Sequence, residues 1–141
     1  PDQAFDTVRF IQLVEVLSGY DQDIIYTHHP GDLNLDHQLT ARAVLTAFRP
    51  KPGEKSRTIL ACETLSSTEW TFPQVFQPNW FEALSDIDLN KKIAALDCYP
   101  SEVHPQPHPR NADGIATMAQ ARGQQCGVPF AEAFQLLRKG P

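Results

Sequence analysis

The apolar residues of this chain alternate between helical spacing and short extended runs. The i, i+3, i+4, i+7 spacing within residues 10–17 predicts an amphipathic helix that ends near Gly19. The β-branched and aromatic run at residues 23–27 predicts a strand that leads into a polar loop. The apolar stripe that follows predicts a second helix, with Asp36 as its N-cap and Pro50 beyond its end.

The second half of the chain repeats this alternation. Residues 57–62 and 79–84 predict two further strands, and the hydroxyl-rich stretch after the first of them predicts a loop. Asp86 is predicted to cap a third helix and Asn111 a fourth. The terminal run at residues 130–138 predicts a last strand, although a short helix also fits it.

Strands that alternate with helices at this spacing predict an α/β protein. We expect a parallel sheet with flanking helices, formed as a single domain over residues 1–141. In such sheets the functional loops follow the carboxyl ends of the strands. Two loops qualify, at residues 28–37 and 63–70, and right-handed crossovers bring both to the same edge of the sheet.

Composition narrows the set of partners. The 141 residues carry 17 Asp and Glu against 12 Lys and Arg, a formal charge of −5, so nucleic acid is not an expected partner. No run approaches the roughly 18 apolar residues of a membrane span. Three widely spaced cysteines without a CxxC pair favour a reducing compartment, and we therefore expect a cytoplasmic protein.

The densest group of chemically active side chains lies between the first predicted strand and the second predicted helix. It consists of His28, His29, Asp32, Asp36 and His37. Imidazoles and carboxylates together suit zinc or iron, and a catalytic zinc needs three protein ligands and an open position. The alternative is structural, because a His-His-Pro-Gly run is often a turn and Asp36 alone is a good helix cap.

Other polar groups are candidates for substrate contact. In the loop after the second strand, Glu63 and Ser67 can orient a hydroxylated substrate or satisfy their own backbone. His104, His108 and Arg110, in and beside a proline-rich segment, can recognise an anionic group. We assign to substrate binding the residues Asp32, Glu63, Ser67, His108 and Arg110.

Four aromatic residues also have two interpretations. They are Trp70, Phe72, Trp80 and Phe81. Their flat side chains can form a platform for a sugar, but packing in the core is the simpler expectation.

Six blocks of the sequence together resemble the PIG-L/LmbE family of zinc-dependent de-N-acetylases. The blocks are YTHHPGDLNLDH (26–37), ETLSSTEW (63–70), PNWF (78–81), YPSE (99–102), PHPR (107–110) and AEAF (131–134). They occur in the family's order and cover essentially the whole chain. The resemblance implies a Rossmann-like sheet with a zinc ion that activates water to hydrolyse the acetamide of an N-acetylated amino sugar or glycoconjugate.

The resemblance also implies catalytic roles within the first block. His37 matches the family's C-terminal zinc ligand, and Asp36 matches the acidic residue before it, which can orient a ligating imidazole. Asn34 stands where many members carry a histidine, and an amide can donate to an oxyanion but cannot carry a proton. His28 or His29 can take that second role.

One segment of the family is not found in this sequence. It is an Ala-His-Pro-Asp-Asp-Glu run at the end of a first strand, whose His and first Asp complete the zinc site and whose second Asp is the general base. We therefore expect the C-terminal portion of a deacetylase domain, without the N-terminal strand-helix units and inactive alone. The rivals are a stand-alone non-catalytic module for assembly or ligand binding, and a metal site rebuilt from His28, His29 and His37.

The same departure predicts a homo-oligomer. Without those strand-helix units the sheet is left with an unpaired edge and bared apolar faces, which a second copy can cover. The alternative is a monomer in which Phe5, Phe10 and the first helix fold over the exposed face.

Overall fold

A computed structural model describes residues 7–140 of the chain. Phe5, one of the residues expected to cover the open face, lies outside the described residues. The elements are α1 (Thr7–Ser18), β1 (Ile24–His28), α2 (Leu35–Ala47), β2 (Thr58–Cys62), β3 (Trp80–Ala83), α3 (Asp86–Asp97), α4 (Ala112–Cys126) and β4 (Ala131–Arg138). Short 3-10 turns lie at Thr68–Trp70 and Pro100–Glu102.

The four strands form one sheet in the order β1-β2-β4-β3. β1 and β2 are parallel, whereas β4 is antiparallel to both of its neighbours, β2 and β3. The α/β class is therefore confirmed, but the sheet is mixed where an all-parallel sheet was expected. The reason is that β4 begins beside the carboxyl end of β2, with Phe134 opposite Cys62, and so runs back along β2.

Helix starts differ slightly from the expected positions. Asn34, not Asp36, is the N-cap of α2, and its side-chain oxygen accepts a hydrogen bond from the Asp36 backbone N–H at 2.9 Å. Ser85, not Asp86, caps α3 in a reciprocal capping box with Asp88. An N-cap residue precedes the helix, and its side chain accepts from backbone N–H groups of the first turn, so a residue already inside the helix cannot serve. Asn111 caps α4 as predicted.

The core consists of two apolar clusters. One joins α2 to the sheet through Val44, Phe48 and Ile59, and α1 packs against it. The other joins α3 and α4 through Leu89, Ile115 and Ala119. These clusters fix the helices against the strands that carry the polar loops.

The shared edge for the two polar loops is confirmed. β1 and β2 are paired in parallel register from Ile24 opposite Thr58 to His28 opposite Cys62. Residues that follow His28 and Cys62 therefore leave the sheet at the same edge. Within residues 7–140 there is no helix that is both long and apolar enough to cross a membrane.

Candidate functional site

A buried carboxylate, that of Asp32, organises the loop between β1 and α2. Asp32 has no exposed surface. One of its oxygens, Oδ1, accepts hydrogen bonds from the backbone N–H of Asn34 at 2.8 Å and from the hydroxyl of Ser67. The other, Oδ2, lies 3.0 Å from Nδ1 of His37. Asp32 therefore links the two loops at the sheet edge and fixes the ring of His37.

This geometry leaves the second ring nitrogen of His37 for another partner. Metal-ligating histidines characteristically donate their other ring N–H to a carboxylate, which sets the tautomer and the ring orientation. His37 is partly exposed while Asp32 is fully buried. Burial raises the pKa of Asp32, but the hydrogen bonds from Ser67 and Asn34 and the contact with His37 together lower it below its ordinary value. The arrangement fits one ligand of a zinc site.

The carboxylate that contacts His37 was expected to be that of Asp36. Asp36 is exposed in the first turn of α2, and its carboxylate makes no hydrogen bond or ion pair within residues 7–140. Consecutive helical residues point about 100° apart, so Asp36 cannot face the ring of His37 while both are helical. Asp32, not Asp36, is the carboxylate that contacts His37. We had also assigned Asp32 to substrate binding, but its complete burial leaves no surface for that contact.

The rings of His28 and His37 stack face to face, with centroids 3.7 Å apart and planes 5° from parallel. Burial lowers the pKa of His28, and the neighbouring His37 lowers it further, so its imidazole is neutral at pH 7. Its buried Nδ1 has no hydrogen-bond partner among the described residues. A metal bound to both rings would sit well out of both ring planes, because imidazole binds zinc in its plane at about 2.0–2.1 Å.

His29 belongs to different surroundings. It is almost fully buried, accepts a hydrogen bond on Nδ1 from the Gly31 backbone N–H at 3.1 Å, and meets the ring of Phe76 edge-on at 5.5 Å. No three His, Cys, Asp or Glu side chains in the described part of the chain are grouped to hold a metal. The geometry therefore does not support a metal site rebuilt from His28, His29 and His37.

Asn34 is exposed at the start of α2. Its side-chain oxygen is used by the helix cap, which leaves the amide N–H groups free to donate. This placement is compatible with an oxyanion donor and stays a prediction.

Two residues of the loop after β2, Ser67 and Glu63, have different contacts. Ser67 joins Asp32 at the site, whereas Glu63 forms an ion pair with Arg122 of α4, with Nε to Oε2 at 3.0 Å. That pairing raises the pKa of Arg122. Ser67 therefore belongs to the polar cluster of His37 and Asp32, whereas Glu63 is paired with Arg122 of α4. Arg122 could not have been paired with Glu63 from sequence, since 59 residues separate them.

Arg110 does not offer a free cation for an anionic substrate. Its guanidinium forms an ion pair with Glu102 and donates to the backbone carbonyl of Leu65 at 3.3 Å. The side chain therefore ties the proline-rich segment to the loop after β2. The expected recognition of an anion by Arg110 is not favoured by this arrangement.

His108 belongs to an aromatic group that we call the Trp70 cluster, made of Trp70, His104 and His108. The ring of His108 lies 4.4 Å from that of His104 and meets Trp70 edge-on at 6.1 Å. Trp70 is 55% exposed and Phe72 is 90% exposed, so core packing was the wrong expectation for these two. Trp80 and Phe81 are half-buried on β3.

Solved structures with this fold are known, although no family profile and no curated protein sequence matches the chain. The hydratase GalB from Pseudomonas putida KT2440, which acts on 4-carboxy-2-hydroxymuconate, matches at a TM-score of 0.66 and 21% identity, over 94% of this chain and 59% of that one. The conserved protein TT1542 from Thermus thermophilus matches at 0.63 and 20%, over 90% and 57%.

The N,N'-diacetylchitobiose deacetylase from Pyrococcus horikoshii matches at a TM-score of 0.60 and 15% identity, over 96% of this chain and 53% of that one. The chain thus shares the α/β fold of these three proteins, in agreement with the α/β class that its sequence predicted. It spans between 53% and 59% of the length of these three proteins.

Proposed function

We propose that this chain forms part of a zinc-dependent de-N-acetylase domain that acts on N-acetylated amino sugars or glycoconjugates. The observation that carries the proposal is the contact between His37 Nδ1 and the buried Asp32 carboxylate at 3.0 Å. It places a partly exposed imidazole with Nδ1 towards a carboxylate, as in metal-ligating histidines, at the sheet edge where α/β proteins bind their ligands. The deacetylase among the structures of similar fold supports the choice of reaction.

His37 would hold the zinc through its second ring nitrogen. A bound zinc supplies an activated water and polarises the amide carbonyl. A catalytic zinc needs three protein ligands, and the described residues supply one of them. The proposal therefore includes further ligands and a general base from outside these 141 residues, and the chain alone is inactive.

The other residues of the cluster have separate parts in this proposal. Asp32 holds the imidazole of His37, and Ser67 holds Asp32 by its hydroxyl. The amide of Asn34 can donate a hydrogen bond to the carbonyl oxygen as negative charge develops there. The neutral imidazole of His28 can accept a proton, which the amide of Asn34 cannot.

The experiment measures acetate release from N,N'-diacetylchitobiose with zinc. It compares the 141-residue chain with the same chain extended by the codons that precede Pro1. We expect no turnover from the shorter form and zinc-dependent turnover from the longer one. In the longer form His37→Ala abolishes turnover and Asp32→Asn reduces it about 10–100-fold, as expected for a group that orients a ligand. Asp36→Asn is the matched control and reduces it less.

Zinc-dependent turnover that survives His37→Ala would contradict the proposal, as would a longer form that binds zinc but releases no acetate. A second candidate is a hydratase, because Asn34 cannot protonate a leaving amine and a hydratase has the same fold. Loss of the absorbance of 4-carboxy-2-hydroxymuconate without acetate release would favour it. Saccharide binding with neither reaction would favour the non-catalytic module.

A further inference from the structure

The Trp70 cluster forms one wall of an open groove of about 540 Å³. The remaining wall is made by the segment that carries the two histidines, including Pro105, Pro107 and Pro109. The volume falls within the range of small-molecule sites, about 300–1,000 Å³. Half of the Trp70 side chain is exposed, and its indole is therefore available to a ligand.

The groove is connected to the polar cluster of His37 through the backbone of the loop after β2. Trp70 lies one 3-10 turn beyond Ser67, and its backbone N–H donates to the Ser67 carbonyl at 3.2 Å. Ser67 in turn donates to Asp32, which contacts His37. Three residues of a 3-10 helix advance about 6 Å, so the backbone of Trp70 lies about one turn from that of Ser67.

The histidine-bearing wall is held in place before any ligand arrives. The backbone N–H of His104 donates to the Arg110 carbonyl at 2.9 Å, and the side chain of Asn111 donates back to the His104 carbonyl at 3.0 Å. The backbone N–H of Arg110 donates to Nδ1 of His108 at 3.1 Å. A wall fixed in this way loses little conformational freedom on binding.

The groove carries no charged side chain in its lining. Arg110, just beyond it, is neutralised by Glu102. Burial lowers the pKa of His108, with further contributions from His104 and Arg110, so this imidazole is neutral at pH 7. An exposed indole with the neutral imidazole of His108 and the side-chain amide of Gln106 beside it suits an uncharged ligand with an apolar face and a polar rim.

A pyranose ring has this character, with C–H groups on one face and hydroxyl groups on its rim. We propose that the Trp70 cluster is a saccharide platform, in which the indole of Trp70 packs against a pyranose ring and His104 and His108 hydrogen-bond its hydroxyl groups. The inference that the sugar is N-acetylated rests on the proposed function. The inference that a sugar ring packs on Trp70 does not depend on it.

The test is a binding experiment on metal-free protein, so that it is independent of turnover. The chain has two tryptophans, and Trp80→Phe leaves Trp70 as the only one. N-acetylglucosamine and N,N'-diacetylchitobiose are expected to change the fluorescence of this variant in a saturable way. By ligand-observed NMR, Trp70→Ala is expected to weaken binding about three- to tenfold, since an aromatic contact contributes about 0.5–1.5 kcal/mol. Trp70→Phe is expected to retain most of the affinity.

Phe72→Ala is the matched control, because Phe72 is exposed in the same loop but does not line the groove. It is expected to bind as the unaltered chain does. His108→Ala tests the same wall if Trp70→Ala does not fold, and it is expected to weaken binding. Unchanged affinity in Trp70→Ala, equal losses in Trp70→Ala and Phe72→Ala, or no saccharide binding by the unaltered chain would overturn the platform.

These outcomes separate the platform from the proposed reaction. Saccharide binding at Trp70, together with no acetate release from N,N'-diacetylchitobiose by the longer form, would support the platform and overturn the deacetylase. Acetate release with the same KM in Trp70→Ala as in the unaltered longer form would support the deacetylase and overturn the platform.

Discussion

Asp32 and Asp36 lie four residues apart, carry the same side chain and occupy opposite environments. Asp32 is fully buried, accepts hydrogen bonds from Ser67 and Asn34 and lies 3.0 Å from Nδ1 of His37, whereas Asp36 is exposed without a side-chain partner in the described residues. Adjacency in sequence favoured Asp36 as the partner of His37. The tertiary fold selects Asp32, because the loop before α2 places its carboxylate at Nδ1 of His37.

This contrast gives a stability prediction. Asp32→Asn is expected to lower the free energy of unfolding by about 1–3 kcal/mol, because buried donors lose a charged acceptor. Asp36→Asn is expected to stay within about 0.5 kcal/mol, as surface substitutions usually do. Chemical denaturation of both variants at pH 7 measures the difference. Equal effects would mean that the Asp32 network contributes nothing to stability.

The pH dependence of that difference follows from the lowered pKa of Asp32. A carboxyl whose pKa is lower in the folded state stabilises the fold above its ordinary pKa of 3.8 and loses this effect as the pH falls through the folded value. The difference in the free energy of unfolding between the unaltered chain and Asp32→Asn is therefore expected to become smaller as the pH falls below about 4.

Element types and order followed from residue patterns at nearly every position. The spacing of the apolar residues located all four helices, and the short β-branched and aromatic runs located the strands. Strand direction was missed for β4, since alternation and composition do not encode whether a strand runs parallel to its neighbour. The cap positions of α2 and α3 were missed by one or two residues, because several polar residues compete at each helix start.

A close approach between α4 and the proline-rich segment gives a prediction for these two elements. A Cβ added at Gly114 would lie 2.0 Å from the Pro109 carbonyl oxygen and 2.6 Å from its carbon. Gly114→Ala must therefore displace the backbone and is expected to cost about 1–3 kcal/mol, as overpacking does. Gly19→Ala is the control, because the nearest atom there, the Val16 carbonyl oxygen, is at an ordinary 3.4 Å.

Thermal unfolding of the two glycine variants checks this prediction. If Gly114→Ala proves as stable as Gly19→Ala, the packing of α4 on Pro109 is looser than described. Because Pro109 lines the groove, Gly114→Ala is also expected to weaken saccharide binding.

On the scale of the whole molecule, β1 and β3 are the two edge strands of the sheet, and β1 is the edge next to exposed apolar side chains. β1 is the first strand in the sheet order and pairs only with β2 among the described residues. Apolar side chains are exposed on β1 itself, at Ile24 and Tyr26, and on α1, at Ile11 and Val16. An open edge with apolar neighbours is a template for pairing with another chain.

We therefore expect the 141-residue chain to self-associate, most simply as a two-fold dimer. Light scattering over a concentration series measures the mass. Ile24→Lys is expected to favour the monomer, since a charge on an edge strand opposes pairing, while Ile87→Lys on exposed α3 is the control. A constant mass of 15.8 kDa at high concentration would contradict the expectation.

The candidate site was partly foreseeable at this scale too. The order of strands, loops and helices placed the loops after β1 and β2 at one edge, and the hydrogen bond between Ser67 and Asp32 confirms that they meet. The partners of Glu63 and Arg110 were not foreseeable, because they come from α4 and from the turn at Pro100–Glu102. Those contacts are set by packing between distant segments.

The role of His37 as an oriented metal ligand is tested most directly by a zinc titration of the 141-residue chain, followed through the ring ¹⁵N resonances of its five histidines. We expect weak binding, with the largest shift at Nε2 of His37 and with its Nδ1 still protonated towards Asp32. Asp32→Asn is expected to weaken this binding about 10–100-fold. Zinc held by other histidines while the His37 resonances stay unchanged would contradict the assignment.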